Sequence, residues 1–91
     1  MLIWMINMNI EFKRSVLKQL KYYKKKNSIA YKLINEGLNE ILENPKNKKY
    51  KKVKKYPEYK RARKGPYRIC FKLKDNCIYI GRIEDRSNVY K

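Results

Sequence analysis

Arg61, Arg63 and Arg68 flank a Gly65-Pro66 turn, with Tyr59 just before them and Tyr79 one strand later. Guanidinium groups gathered this way suit one kind of work, holding phosphate oxygens and stabilising negative charge that builds on them. Tyrosine rings beside them offer surfaces on which unpaired bases stack. Cys70 and Cys77 fit no zinc-ligand spacing and the chain has no His to complete a metal site, so both cysteines read as packing residues and no cofactor is expected.

Whether the arginines share a face depends on strand register. Tyr67, Ile69, Phe71 and Leu73 alternate with Arg68, Cys70, Lys72 and Lys74, which predicts a strand with its odd residues on the core and Arg68 turned away from it. Asp75-Asn76 is a hairpin signal that pairs Lys74 with Cys77, Leu73 with Ile78, Phe71 with Ile80 and Arg68 with Ile83. Upstream, a loop of two or four residues at Gly65-Pro66 pairs Arg63 with Arg68, Arg61 with Cys70 and Tyr59 with Lys72. A three-residue loop would bury Arg61 and Arg63 with no acid nearby, at a cost of several kcal/mol. The first register therefore puts Tyr59, Arg61, Arg63, Arg68 and Tyr79 on one open face. No neighbouring acid is expected to offset their repulsion, which an incoming phosphate would relieve.

The elements that position this face precede it. Residues 2–12 are apolar at every even position, the period of a strand with one face on the core. Over residues 13–26, Val16, Leu17, Leu20 and Tyr23 recur at helical spacing. A second helix starts with Ser28 as N-cap, carries Ile29, Leu33, Ile34, Leu38, Ile41 and Leu42 as its stripe, and ends at Asn44-Pro45. With only Asn27 and Ser28 between them, the helices form an antiparallel hairpin on one sheet face. Gly37 marks a close helix-helix contact or a weak spot. Residues 46–64 hold eleven Lys or Arg and one acid, with Tyr50, Val53, Tyr56 and Tyr59 interleaved. This segment is either a solvated loop or an RNA-contacting surface, in which Lys52, Lys54, Lys55, Lys60 and Lys64 join Tyr59 and Arg63 in holding the backbone while tyrosines stack.

At 91 residues the chain accommodates one domain, 1–91. Its 25 Lys plus Arg against 8 Asp plus Glu, a net charge of +17, attract a polyanion or an acidic partner. The opening MLIWMINM lacks the charged n-region, long h-region and cleavage site of a signal peptide and is too short to span a membrane. A cytoplasmic protein with no membrane contact is expected.

Residues 65–91, GPYRICFKLKDNCIYIGRIEDRSNVYK, resemble the C-terminal half of the RelE/ParE toxin superfamily, in which a G-x-Y-R strand, a hairpin and a closing R-x-x-V-Y segment recur. Here these are Gly65, Tyr67 and Arg68, then Arg86, Val89 and Tyr90. IEFKRSVLKQLKYY and ILENPKNKKYKKVK extend the likeness to the opening strand and helix and to the exit of the second helix. The resemblance implies an α+β fold, β-α-α-β-β-β, matching the element order read above. It also implies a RelE-type mRNA interferase that enters the ribosomal A site and cleaves mRNA without a metal.

Such cleavage, attack of a ribose 2'-hydroxyl on the adjacent phosphate, needs a proton acceptor, a proton donor and cations. Without His, those roles fall to Lys, Arg and Tyr. The resemblance assigns Arg68 to the scissile phosphate, Arg86 to the developing charge, and Tyr90 to the base or to stacking. Arg61 stands where relatives carry a lysine general acid, a poor exchange because guanidinium rarely gives up a proton. Asp85 stands where many relatives have His and is expected to hold Arg86.

The implied partners are a ribosome with its mRNA and an acidic, RelB-like antitoxin carrying an amphipathic helix, in a toxin-antitoxin hetero-oligomer. Two other readings compete. One is a ParE-like toxin acting on gyrase; the other is a non-catalytic basic module that binds RNA or an antitoxin.

Overall fold

The computed structural model describes residues 9–86. In chain order the elements are β1 (Asn9–Phe12), α1 (Arg14–Lys26), α2 (Ser28–Glu43), β2 (Lys51–Lys52), β3 (Lys60–Lys64), β4 (Tyr67–Lys74) and β5 (Cys77–Asp85). One five-stranded sheet runs β1-β5-β4-β3-β2, with β1 parallel to β5 and the other pairs antiparallel. This is the expected α+β order with a two-residue edge strand added at β2. The earlier part of the expected first strand, residues 2–8, lies outside the described residues.

Both helices cover one sheet face. Val16 and Tyr23 of α1 are buried, while Leu17, expected in the stripe, is 49% exposed. The second helix is capped by Asn27 rather than Ser28. Asn27 Oδ1 accepts from the Ala30 backbone N–H at 3.1 Å, and its own N–H donates to the Tyr23 carbonyl, so one residue ends α1 and starts α2. The buried face of α2 then comprises Ala30, Ile34, Gly37, Leu38 and Ile41, and Ile29 is left 74% exposed. Gly37 serves a helix-sheet contact, not a helix-helix one, because a Cβ there would stand 2.8 Å from Ile69 Cδ1.

The helices close over Ile69, Phe71, Ile78, Ile80 and Ile83 of the sheet, all buried. Burying side chains of this size contributes about 1.5–3 kcal/mol each. Gln19 Nε2 fixes α1 to β5 through the Ile83 carbonyl at 2.9 Å.

Two tight turns set the register. Lys64 pairs with Tyr67, so Gly65-Pro66 is a two-residue loop, and the φ of +58° at Gly65 is the left-handed conformation such a turn requires of its first residue. Asp75 and Asn76 both have positive φ, 52° and 60°, joining β4 to β5. From there Leu73 pairs with Ile78 and Phe71 with Ile80, as the hairpin predicts.

Beyond that point the expected pairing fails. The register shifts between Cys70 and Phe71, so Cys70 faces Arg82, Ile69 faces Ile83 and Arg68 faces Glu84 instead of Ile83. Gly81 is the extra residue of a β-bulge. It lengthens the core spacing from Ile80 to Ile83 to three, which carries Arg82 and Glu84 to the face opposite the helices.

Candidate phosphate-binding face

The face away from the helices carries the side chains that alternation turns outward. Arg63 pairs with Arg68, Arg61 with Cys70, and Lys51 of β2 with Arg61. Lys49, Lys51, Arg61, Arg63 and Arg68 line an open cavity of about 360 Å³. Among the described residues none of these three arginines makes an ion pair.

Like charges opposed across strands repel, and the cluster shows the effect. The pKa of Arg68 is lowered, first by burial and then by the positive fields of Arg86, Arg61 and Arg63, while Glu84 acts in the other direction. The expectation that no acid offsets these charges is therefore corrected, because the bulge brings Glu84 beside Arg68. Glu84 itself pairs with Arg82, whose Nε lies 3.5 Å from Oε2.

A larger groove of about 650 Å³ adjoins the cavity and shares Arg61 with it. Its walls include Lys54, Lys55, Tyr56 and Tyr59 from the segment after β2, and Gly81, Arg82 and Glu84 from β5. That segment folds back on itself through backbone hydrogen bonds from Val53 to Tyr59, Tyr56 to Val53 and Tyr59 to Tyr56. Tyr59 lies against Gly81, where a Cβ would come within 2.7 Å of the ring. Lys72 Nζ stands 5.3 Å from the Tyr59 ring centre and 5.5 Å from that of Tyr79. Tyr59 is thus packed onto the sheet, and the exposed ring in this groove is Tyr56, 59% accessible.

The expected site residues divide accordingly. Arg61, Arg63 and Arg68 come together, and Lys54 and Lys55 flank them across the groove. Arg86 joins them by its field on Arg68 and is held by its backbone N–H to the Pro66 carbonyl at 2.8 Å. Tyr90 lies outside the described residues. Lys60 pairs with Lys52 in the alternation that turns both away from the cavity, and Lys60 lies instead with Phe71 and Leu73. Lys64 is also turned to the helices, where its Nζ donates to Glu40 and stands 3.9 Å from Glu36. Even residues of β3 share the side of buried Ala62, so Lys60 and Lys64 do not join the arginines. Asp85, expected beside Arg86, accepts from the Tyr23 hydroxyl at 3.1 Å on the helical side.

Lys49, Lys51, Arg82 and Glu84 were not expected at the site. Only the last two had a sequence signal, a glycine inside an alternating strand, which marks a bulge or a close approach. Cys70 is buried and free, and burial first, then Glu84, raises its thiol pKa, which fits a packing role.

The family described as the ParE toxin of type II toxin-antitoxin system, parDE, matches residues 10–90. No curated protein matches the chain by sequence. Among solved structures, a YoeB dimer from Staphylococcus aureus is 26% identical with a TM-score of 0.73, covering 86% of this chain and 95% of that one. A YoeB-YefM complex from the same organism gives 28% identity and a TM-score of 0.71, over 85% and 94%. The RelB-RelE antitoxin-toxin complex from Methanococcus jannaschii gives 26% and 0.61, over 89% and 95%.

Proposed function

Because this chain belongs to the ParE toxin family of type II toxin-antitoxin systems, within the RelE/ParE superfamily, we propose that it is a RelE-type endoribonuclease that cuts mRNA in the ribosomal A site and so stops translation. The observation that carries this reading is the cavity lined by Arg61, Arg63 and Arg68, three guanidinium groups with no ion pair among the described residues. Repulsion among them is relieved by a phosphate, and preorganised cations stabilise the pentacoordinate phosphorus of 2'-hydroxyl attack. Arg68 holds the scissile phosphate, Arg86 stabilises the developing charge, and Arg61 and Arg63 hold the oxygens on either side. Lys49, Lys51, Lys54 and Lys55 extend the cationic track, and Tyr56 stacks on a base. A metal is not required, since phosphate charge is met by guanidinium groups.

The protein works as a single domain in the cytoplasm, where ribosomes are; among the described residues no helix is long and apolar enough to cross a membrane. Its partner is an acidic antitoxin, by likeness to the YoeB-YefM and RelB-RelE complexes and by the net charge of +17. The match to the ParE toxin family leaves a second reading open, a toxin that acts on gyrase instead of mRNA. Incubating the purified protein with translating ribosomes, and separately with gyrase and supercoiled DNA, separates the two. Cleaved mRNA with unaltered supercoiling supports the first, and inhibited or trapped gyrase with intact mRNA supports the second.

A further inference from the structure

We propose that Glu84 is the proton acceptor for the attacking 2'-hydroxyl, an assignment that rests on the ribonuclease reading above. Glu84 is directly opposite Arg68 on the neighbouring strand. Directly opposed residues have Cβ atoms about 4.5–5.5 Å apart. A phosphate held by Arg68 has the 2'-oxygen of the preceding ribose about 3–3.5 Å from phosphorus in its reactive arrangement, within reach of the Glu84 carboxylate.

The chemistry of the face leaves few other bases. There is no His in the chain, and Lys and Arg carry their protons at neutral pH, so among the described residues lining the cavity and groove Glu84 alone is a carboxylate. Its surroundings orient it: Arg82 holds Oε2 at 3.5 Å from the same strand, Arg68 faces it from β4, and Arg61 of β3 lines the same groove. The bulge at Gly81 is what brings it here, since unbroken alternation would turn Glu84 toward the helices. Bulges recur beside active sites because they re-aim a side chain in this way.

In the step, Glu84 takes the 2'-hydroxyl proton as the 2'-oxygen bonds to phosphorus. The bond from phosphorus to the 5'-oxygen breaks, its electron pair leaves on that oxygen, and water protonates it. Glu84 returns its proton to the resulting hydroxide, and the products are a 2',3'-cyclic phosphate and a 5'-hydroxyl.

The test compares wild type and Glu84→Gln in single-turnover cleavage of ribosome-bound mRNA between pH 5 and 9, with ribosome co-sedimentation and thermal melting of both proteins. The expected result is a loss of about 100-fold or more in rate, disappearance of the acidic limb of the pH-rate profile, ribosome binding unchanged or improved, and melting lowered only slightly, by the loss of the exposed pair with Arg82. Wild type that cleaves with a Glu84→Gln variant within threefold and an unaltered profile overturns the role of Glu84 alone. Wild type that binds ribosomes without cutting mRNA overturns the ribonuclease reading and this assignment with it. Glu84→Asp, which keeps the carboxylate on a shorter stem, retains part of the rate and the acidic limb; a rate that falls in both variants together with a much lower melting temperature, while the acidic limb stays in place, would assign Glu84 a purely structural part.

Discussion

The ring of Tyr59 lies against Gly81, so that a Cβ on Gly81 would stand 2.7 Å from Tyr59 Cε2 and 3.2 Å from Cζ. This contact holds the end of the segment after β2 against the bulged residue of β5, beside Arg82 and Glu84. Gly81→Ala is expected to destabilise the fold by about 1–3 kcal/mol through overpacking. In a Tyr59→Ala background most of that penalty should vanish. Chemical denaturation of the two single variants and the double variant measures the coupling, and additive effects would contradict the contact.

Arg68→Ala should separate function from stability. It removes a guanidinium opposed to Arg63 and pressed by Arg61 and Arg86, so the melting temperature should hold or rise. Cleavage should fall roughly 100- to 1,000-fold, the loss typical when a charge-stabilising group is removed. A variant that melts much lower would show that Arg68 supports the fold.

Lys64 makes the opposite forecast. Its Nζ is tied to Glu40 and Glu36 on α2, so Lys64→Met should lower stability modestly and leave ribosome binding unchanged, whereas Arg63→Ala weakens binding. The hydrogen bond from Lys64 holds the Glu40 pKa below its ordinary 4.5. A carboxyl depressed in the folded state stabilises above its unfolded value and loses that contribution as pH falls through the folded one. The stability gap between wild type and Lys64→Met should therefore be full at neutral pH and shrink below pH 4.5. A gap that widens on acidification would contradict the tie.

Salt reports the phosphate contacts. Each contact to single-stranded RNA contributes a slope of about 0.7 in log affinity against log salt. Removing Arg63 should reduce the slope by about that amount, and removing Lys60, which faces away from the cavity, by nothing.

Much of this was legible because burial of charge is costly. The requirement that Arg61 and Arg63 stay out of the core was enough to place Ala62 opposite Ile69 and Arg63 opposite Arg68, as the sheet has them. The Asp75-Asn76 turn likewise announced itself through residues that tolerate positive φ. What escaped was the bulge: Ile80 and Ile83 are both buried, and strict alternation cannot bury both. Gly81 between them was the clue. Strand β2 had no signal, because Lys51 and Lys52 carry neither apolar alternation nor β-branching. Ile29 is exposed although apolar, because the positions of α2 that pack on the sheet are Ala30, Ile34, Gly37, Leu38 and Ile41, and Ile29 lies off that face.

The central claim is that Arg68 holds a messenger phosphate while it is cut. Mapping mRNA 5' ends after adding the protein to translating ribosomes tests it most directly. Wild type should produce new ends within A-site codons, and those ends should disappear with Arg68→Ala although the variant still folds and binds ribosomes. Identical cleavage by wild type and Arg68→Ala would contradict the claim.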